Sequence, residues 1–182
     1  MAMATTPDTK LLERSARDGD AGAFGQLLRL WDGDLRGVAW SVARSAAATD
    51  DIMQDAYERA FRAIDGFNGE SAMKTWLHSI VYRSALDFVR YEDRRAHDDA
   101  SELGNVATTT SGTQPDVTAV DRSELASVLE ACTLEERAML MLTTGLGYSF
   151  DETAAILDMK RGTVASRVGR VRARLSRWEE ES

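Results

Sequence analysis

The stretch from Ser149 to Arg177, SFDETAAILDMKRGTVASRVGRVRARLSR, decides the fold class of this chain. Ser149 and Glu152 stand three residues apart, as do Thr133 and Glu136, and this is the spacing of a capping box that opens a helix. An apolar run follows as far as Leu157, and a short polar turn separates it from a basic segment that starts at about Thr163. This order of helix, short turn and helix predicts a helix-turn-helix.

The second helix of this motif has two different faces. The apolar face repeats at helical spacing and is expected to pack on the first helix and on Leu140; it consists of Val164, Val168, Val171 and Leu175. The other side holds side chains that can reach base edges or phosphates in a major groove: Arg161, Thr163, Ser166, Arg167, Arg170 and Arg174. A solvated basic helix would explain these charges but not the short turn before them, so we predict a DNA-binding helix.

The distribution of charge along the chain supports this interpretation, although the net charge of the whole chain does not. The chain has 182 residues and a net charge of −8, which by itself argues against a nucleic-acid-binding protein. Within it, however, the segment from Lys160 to Trp178 carries seven basic residues and no acid. A local cationic helix on an acidic protein suits DNA contact inside a larger assembly better than non-specific coating of DNA.

Composition also predicts how the chain is organised. Apolar residues recur at helical spacing and no alternating run is long enough for a sheet, so the predicted fold class is all-α. Residues 96–121 contain five acids, no Lys or Arg, and many Thr, Ser and Gly, which predicts a flexible acidic linker. We therefore predict two small helical domains, module 1 at residues 1–95 and module 2, with the helix-turn-helix, at residues 122–182.

The same composition argues against several kinds of site. A single cysteine, Cys132, cannot form an internal disulfide, and two histidines are too few and too scattered for a metal site. No apolar run is long enough for a membrane span and no secretory signal is evident, so a cytoplasmic protein is predicted. We expect no cofactor. No nucleophile motif or phosphate-binding loop indicates an enzyme, and Cys132 is interpreted as a buried apolar residue.

In module 1, apolar residues recur at helical spacing along two or three predicted helices. They predict a core made of Leu11, Leu12, Phe24, Leu27, Leu28, Trp31, Leu35, Val38 and Val42. A helix from Lys74 to Arg90 is expected to place Trp76, Arg83, Asp87 and Arg90 on one outer face. An exposed aromatic ring beside cations can stack on unpaired bases. Alternatively, Trp76 belongs to the core and the charges to a solvated face, and the spacing alone leaves both interpretations open.

Several stretches, in this order and at these separations, carry a resemblance to a known family. They are DDIMQDAYERAF (50–61), FNGES (67–71), TWL (75–77), ALDFVR (85–90) and GTVASR (162–167). Module 1 resembles the second conserved region of the extracytoplasmic-function (ECF) group of bacterial sigma factors, and module 2 resembles their fourth region. Nothing between them resembles a sigma third region. The resemblance implies a chain that binds core RNA polymerase and directs promoter recognition, DNA melting and transcription initiation.

The resemblance also implies residue roles. The face that binds the polymerase clamp would consist of Asp51, Gln54, Asp55, Arg59 and Phe61. The melted minus-10 element would meet Asn68, Lys74, Trp76, Arg83, Asp87 and Arg90. The basic helix of module 2 would bind the minus-35 element through the six residues given above, and module 2 would also rest on the polymerase flap. The acidic linker would run toward the RNA path, and an anti-sigma factor, often membrane-bound, would hold the chain inactive at the inner membrane.

Some positions depart from the family pattern. Val81, Tyr82 and Arg83 stand where the family often has Ala-Arg-Asn after the buried Ile80, Ala165 replaces a common Lys, and Asp158 stands where Gly usually ends the first helix of the motif. Asp tolerates the left-handed conformation of such a turn at some cost, so we expect the motif to survive.

Two alternatives remain open at this stage. A stand-alone helix-turn-helix regulator would bind duplex DNA without polymerase. Asn68 is a candidate for a hydrogen bond to a base, but it is equally well explained as a turn residue before Gly69.

Overall fold

The computed structural model describes residues 8–102 and 131–181. Seven α-helices lie in these ranges: α1 Thr9–Arg17, α2 Ala21–Ala43, α3 Ala46–Ala63, α4 Met73–Glu102, α5 Leu134–Leu140, α6 Phe150–Leu157 and α7 Arg161–Glu181. A 3-10 turn (Ile64–Gly66) follows α3 and a π-helical turn (Met141–Gly145) follows α5. No strand occurs in the described ranges, so the predicted all-α class is confirmed.

The helices of module 1 pack around one core, and α2 supplies most of it. Every core residue predicted in α2 is buried. The prediction is wrong for Leu11, which is 62% exposed. Helix α1 turns its other side inward, because Leu12 and Ala16, one turn apart, are the residues that pack on the core. The Asp20 carboxylate accepts hydrogen bonds from the amides of Gly22 and Ala23, at 2.8 and 3.0 Å, and thereby caps α2.

The prediction ends module 1 at residue 95, but helix α4 continues further. It includes the first seven residues of the predicted linker, residues 96–102. No glycine or proline occurs between Met73 and Gly104, and an ion pair of 3.5 Å between Arg95 and Glu92 supports the added turns. The side chains of residues 90–98 are all exposed, so this end of α4 projects from the core. The rest of the predicted linker, residues 103–121, lies outside the described residues, as do residues 122–130 of module 2.

Module 2 begins its helices as the sequence predicts. Thr133 Oγ1 accepts a bond of 3.2 Å from the Glu136 amide, and the Glu136 carboxylate accepts one of 3.0 Å from the Thr133 amide. Ser149 and Glu152 form the same reciprocal pair at the start of α6. Asp158 ends α6 in the left-handed conformation, with φ 54° and ψ 49°. The predicted capping boxes and the predicted left-handed turn are therefore confirmed.

The inward face of α7 is apolar as predicted, except that Leu175, its last predicted member, is only half-buried. Val164, Val168 and Val171 are buried, and each such burial stabilises the fold by about 1.5 to 3 kcal/mol. The prediction for Leu140 is wrong, because that side chain is only half-buried. Met139 and Leu142 occupy the core instead, since the π-helical turn after Leu140 interrupts the regular helical spacing.

The two modules also pack against each other. Helix α2 contacts α5, helix α4 contacts α6, and the buried side chains of both modules form one continuous core. Composition and helical spacing predict two domains and a linker, and neither indicates this contact.

Candidate polymerase- and DNA-binding surfaces

The predicted polymerase-binding residues lie on the outer face of α3. Asp51 and Gln54 are exposed and Asp55 is half-buried. Phe61 is 44% exposed, and its ring packs edge-on against Phe24 with centroids 5.0 Å apart. An acidic face beside a partly exposed aromatic ring is suited to a protein partner, because the ring offers apolar area that water covers poorly.

A groove between α2 and α3 borders this face. It is lined by Gly25, Leu28, Arg29, Asp32, Tyr57 and Phe61. The Tyr57 hydroxyl donates a bond of 2.5 Å to Asp32, and burial, followed by this bond, raises the pKa of Tyr57. Asp32 also holds Arg36 at 3.0 Å, and Arg36 reaches Asp50 at 2.5 Å. Sequence reasoning missed the α2 side of this groove, because all the motif residues assigned to the polymerase lie on α3.

Arg59 connects the α3 face to the predicted minus-10 face of α4. Its guanidinium lies 2.8 Å from Asp55 and 2.7 Å from Asp87, and the bond to Asp87 is the main cause that raises the pKa of Arg59. Asp87 also lies 3.9 Å from Arg90. Residues predicted to serve two different partners therefore form one charged network.

The α4 face is only partly as predicted. Arg83, Asp87 and Arg90 are exposed. Trp76 is half-buried, and its ring lies 5.0 Å from Phe67 and 6.4 Å from Phe24, measured between centroids. Trp76 thus combines the two interpretations left open above, since part of its ring packs on the core and part reaches solvent.

The loop before α4 is stabilised by a hydrogen bond within it and by contacts with neighbouring helices. Asn68 Oδ1 accepts a bond of 3.1 Å from the Glu70 amide, and Gly69 adopts a positive φ of 78°. The side-chain carbonyl oxygen of Asn68 therefore acts as that of a turn residue. The left-handed backbone conformation belongs to Gly69 and not to Asn68. The Arg17 guanidinium lies 5.0 Å above the Phe67 ring. Lys74, at the start of α4, forms an ion pair with Asp34 of α2.

On the predicted DNA-binding helix, most cations have an acidic partner within module 2. Arg161 pairs with Asp151 at 3.2 Å, and Arg167 forms an ion pair with Glu135. Thr163 is half-buried, whereas Ser166 and Arg170 are exposed. Helix α7 begins at Arg161, two residues earlier than predicted, so Thr163 and Ser166 lie on its first two turns and Arg170 lies on the third. The partner acids are residues that the sequence analysis does not identify.

Near the end of this basic face, Arg174 contacts the side chain of Cys132. Arg174 lies 3.2 Å from Glu136 and 3.3 Å from Cys132 Sγ. Burial opposes ionisation of Glu136, but bonds from the Thr133 amide and from Arg174 outweigh it and lower the pKa of Glu136. Cys132 is 4% exposed, which agrees with the predicted buried role.

Within residues 8–102 and 131–181, no three acidic, histidine or cysteine side chains gather in a way that could hold a metal ion. In the same part of the chain, no helix is both long enough and apolar enough to cross a membrane.

Two family models match the chain, one in each module. Sigma-70 region 2 matches residues 27–95, and Sigma-70 region 4 matches residues 122–175. The ECF RNA polymerase sigma factor SigM of Mycobacterium tuberculosis is 35% identical over 161 residues, which are 87% of this chain and 78% of SigM. The ECF RNA polymerase sigma-E factor of Escherichia coli K12 is 32% identical over 178 residues, covering 91% of this chain and 90% of that protein.

The chain belongs to the ECF group of RNA polymerase sigma factors. It is a transcription initiation factor, and its function is promoter recognition by RNA polymerase. Because region 2 accompanies region 4, the alternative of a stand-alone helix-turn-helix regulator is not favoured.

Solved structures of similar sigma factors agree with the fold. RpoE of Bartonella quintana, solved with the anti-sigma factor NepR, has a TM-score of 0.71 and 25% identity, covering 86% of this sigma factor and 96% of RpoE. CnrH, solved with the cytosolic domain of CnrY, has a TM-score of 0.69 and 27% identity, covering 96% of this sigma factor and 98% of CnrH.

Proposed function

We propose that this sigma factor uses three surfaces during initiation. The first is the α3 face, with Asp51, Gln54, Asp55, Arg59 and Phe61, which binds the clamp of core RNA polymerase. Its exposed carboxylates and the 44% exposed Phe61 ring support this assignment. The groove between α2 and α3 lies directly beside Phe61 and extends the same surface.

The second surface holds the melted minus-10 element. It consists of Asn68 and Lys74 at the start of α4 and of Trp76, Arg83, Asp87 and Arg90 along it. Taking a base out of the duplex stack costs a few kcal/mol, and stacking on an aromatic ring offsets about 1 to 3 kcal/mol per base. The half-buried Trp76 suits this role, because its contacts with Phe67 and Phe24 fix the ring before DNA arrives.

The third surface reads the minus-35 element in duplex DNA. It is the outer face of α7, with Arg161, Thr163, Ser166, Arg167, Arg170 and Arg174. The first turns of α7 carry Thr163 and Ser166, and a helix amino terminus favours nearby phosphate through its unpaired amides. Arg170 and Arg174 lie further along and are assigned to phosphates.

The similarity to other sigma factors supports a proposal for partners and location. We assign core polymerase, promoter DNA and an anti-sigma factor as partners, since RpoE and CnrH were solved with NepR and with a domain of CnrY. We assign module 2 to the polymerase flap and the predicted linker to the RNA path. The proposed role is non-enzymatic and needs no cofactor, and the proposed location is the cytoplasm, with sequestration at the inner membrane by the anti-sigma factor.

One observation carries the assignment: each module presents an exposed face of the chemistry that its partner requires. The test measures binding of core polymerase and binding of promoter DNA separately. Phe61→Ala is expected to weaken binding to core polymerase about tenfold, because it removes the apolar centre of that surface. Arg170→Ala is expected to leave core binding unchanged and to weaken upstream DNA binding by the holoenzyme.

The matched control is Arg14→Ala, which removes an exposed cation of α1 outside all three surfaces. Core binding that falls as much for Arg170→Ala as for Phe61→Ala would contradict the division into surfaces.

A further inference from the structure

Arg17, in the last turn of α1, lies against the loop that precedes α4. Its guanidinium carbon lies 5.0 Å from the centre of the Phe67 ring, which is the geometry of a cation–π contact. A Cβ added at Gly69 would lie 3.1, 3.3 and 3.4 Å from Nη1, Cζ and Nη2 of the same guanidinium. These nearly equal distances mean that the flat side of the guanidinium faces Gly69. Arg17 therefore contacts both neighbours of Asn68.

The end of α1 fixes the point from which the Arg17 side chain extends. Ala16 is 2% exposed and packs on the core, and the Asp20 amide donates to the Ser15 carbonyl at 3.0 Å, which closes the end of the helix. Arg17 itself is exposed, and its guanidinium forms no ion pair within residues 8–102 and 131–181. Its position therefore depends on the contacts with Phe67 and Gly69.

The loop is anchored at its two ends and open between them. Phe67 packs on the core and its amide donates to the Ile64 carbonyl at 3.0 Å, and Met73 is fully buried. Between these anchors Asn68 is exposed, and Gly69 has the positive φ of 78° given above. A glycine loses more conformational freedom on folding than any other residue. A side chain that packs on Gly69 from outside the loop restricts this freedom.

The hydrogen bond within the loop decides what Asn68 can offer a base. Its Oδ1 accepts from the Glu70 amide at 3.1 Å, so the side-chain amide group is left as a donor. A donor of this kind recognises the ring nitrogens and keto oxygens of a base and not its amino groups. Such recognition requires that the side chain is held within about 0.5 Å of its productive position. Because Asn68 is exposed, this position is set by its two neighbours.

We propose that Arg17 is a positioning residue for base recognition in the minus-10 element. Its guanidinium, packed on Phe67 and Gly69, fixes Asn68 for a hydrogen bond to one base of the melted strand. The inference rests on the proposed function, which assigns Asn68 to that element. Arg17 acts through the loop and needs no contact with DNA. A planar guanidinium can stack on a ring and on a backbone segment at once, whereas the compact ammonium of a lysine cannot.

The test measures base selectivity of the holoenzyme formed by the full chain and core polymerase. The probes are single-stranded oligonucleotides that carry the minus-10 element of a promoter used by the holoenzyme, with each base replaced in turn by the other three. Arg17→Ala should reduce the ratio of dissociation constants between the worst and the best base at one position by about three- to tenfold, which is roughly the contribution of one hydrogen bond. Arg17→Lys keeps the charge and should show the same loss.

Arg14→Ala is the matched control, because it removes an exposed cation three positions earlier on the same helix. It should leave the selectivity ratio unchanged. An unchanged ratio for Arg17→Ala would refute the proposal.

A double-mutant cycle with Phe67→Leu separates positioning from direct contact with phosphate. If Arg17 acts through the Phe67 ring, Arg17→Ala should reduce selectivity much less in the Phe67→Leu background than in the wild type. A direct phosphate contact would instead cost the same in both backgrounds, weaken binding of all bases alike and reduce the salt dependence of binding. That result would overturn the proposal.

The same four proteins give a second measurement that needs neither polymerase nor DNA. In denaturant titrations of the free chain, the contact between Arg17 and Phe67 predicts a coupling of about two- to fivefold in the unfolding equilibrium constant. Absence of this coupling would refute the contact and the proposal with it. Coupling without any change in base selectivity would also overturn the proposal, since Arg17 would then only stabilise the fold. Wild-type holoenzyme that shows no base preference on these oligonucleotides would refute the minus-10 assignment itself.

Discussion

Glu135 restrains an arginine that is assigned to DNA, and Glu135→Gln should release it. Glu135 and Arg167 form an ion pair whose side chains are 39% and 33% exposed. Pairs at a fully exposed surface contribute about 0 to 1 kcal/mol, and partial burial places this pair near the top of that range. Removal of the carboxylate charge also removes a repulsion from DNA phosphate, about 0.6 kcal/mol at roughly 7 Å in water. Together these effects amount to about 1.4 to 1.6 kcal/mol and predict duplex binding that is tighter by about ten- to fifteenfold.

Asp151→Asn is the matched control for this prediction. Asp151 also lies in the first turn of its helix and pairs with a DNA-assigned cation, Arg161, at 3.2 Å. Its side chain is 74% exposed and that of Arg161 is 62% exposed, so the pair contributes less. Both substitutions remove one negative charge, so the difference between them isolates the release of Arg167. We expect the control to tighten binding less than threefold.

The assay is fluorescence anisotropy with a duplex that carries the upstream element of a promoter used by the holoenzyme. The difference between the two variants should shrink as salt concentration rises, because screening weakens each pair. Equal affinities for Glu135→Gln and Asp151→Asn would refute the reasoning. Weaker binding by Glu135→Gln than by the wild type would mean that Glu135 positions Arg167 for DNA.

Two further predictions concern stability. Thr153 is fully buried with a hydroxyl that has no partner among the described residues, so Thr153→Val should raise the free energy of unfolding by about 1 to 2 kcal/mol in denaturant titrations. Thr49→Val should not, because the buried Thr49 hydroxyl donates to the Ser45 carbonyl at 2.8 Å, and equal stabilisation by both would contradict the assignment. Burial lowers the pKa of His78 from 6.5, although the Lys74 and Asp34 carbonyls oppose this. Neutral His78 therefore contributes fully to the free energy of unfolding above about pH 6.5, and this contribution is lost as the pH falls. The unfolding midpoint should fall more steeply with acid for the wild type than for His78→Phe, and parallel profiles would count against it.

Local spacing explains which features the sequence predicts correctly. The capping boxes at Thr133 and Ser149 need residues only three positions apart, and the left-handed Asp158 stands where the family pattern has Gly at the end of the helix. The faces of α3 and α7 follow from helical periodicity. Each of these features depends on residues within one helix or one turn, so one sequence contains the information.

Contacts between distant segments explain what the sequence does not predict. Arg137 and Ser41 are separated by 96 positions, and no periodicity relates them. The acids that hold Arg167 and Arg174 lie on α5, more than thirty positions away. Trp76 shows the same limit, because the aromatic rings that half-bury it come from α2 and from the loop before α4. Tertiary packing decides such cases.

The central claim is that this chain directs core RNA polymerase to promoters. In vitro transcription with purified bacterial core polymerase and a genomic promoter library, with and without the protein, tests it most directly. The account predicts discrete new transcripts that share two upstream elements and that depend on added protein. No new transcripts, together with specific duplex binding by the protein alone, would contradict it.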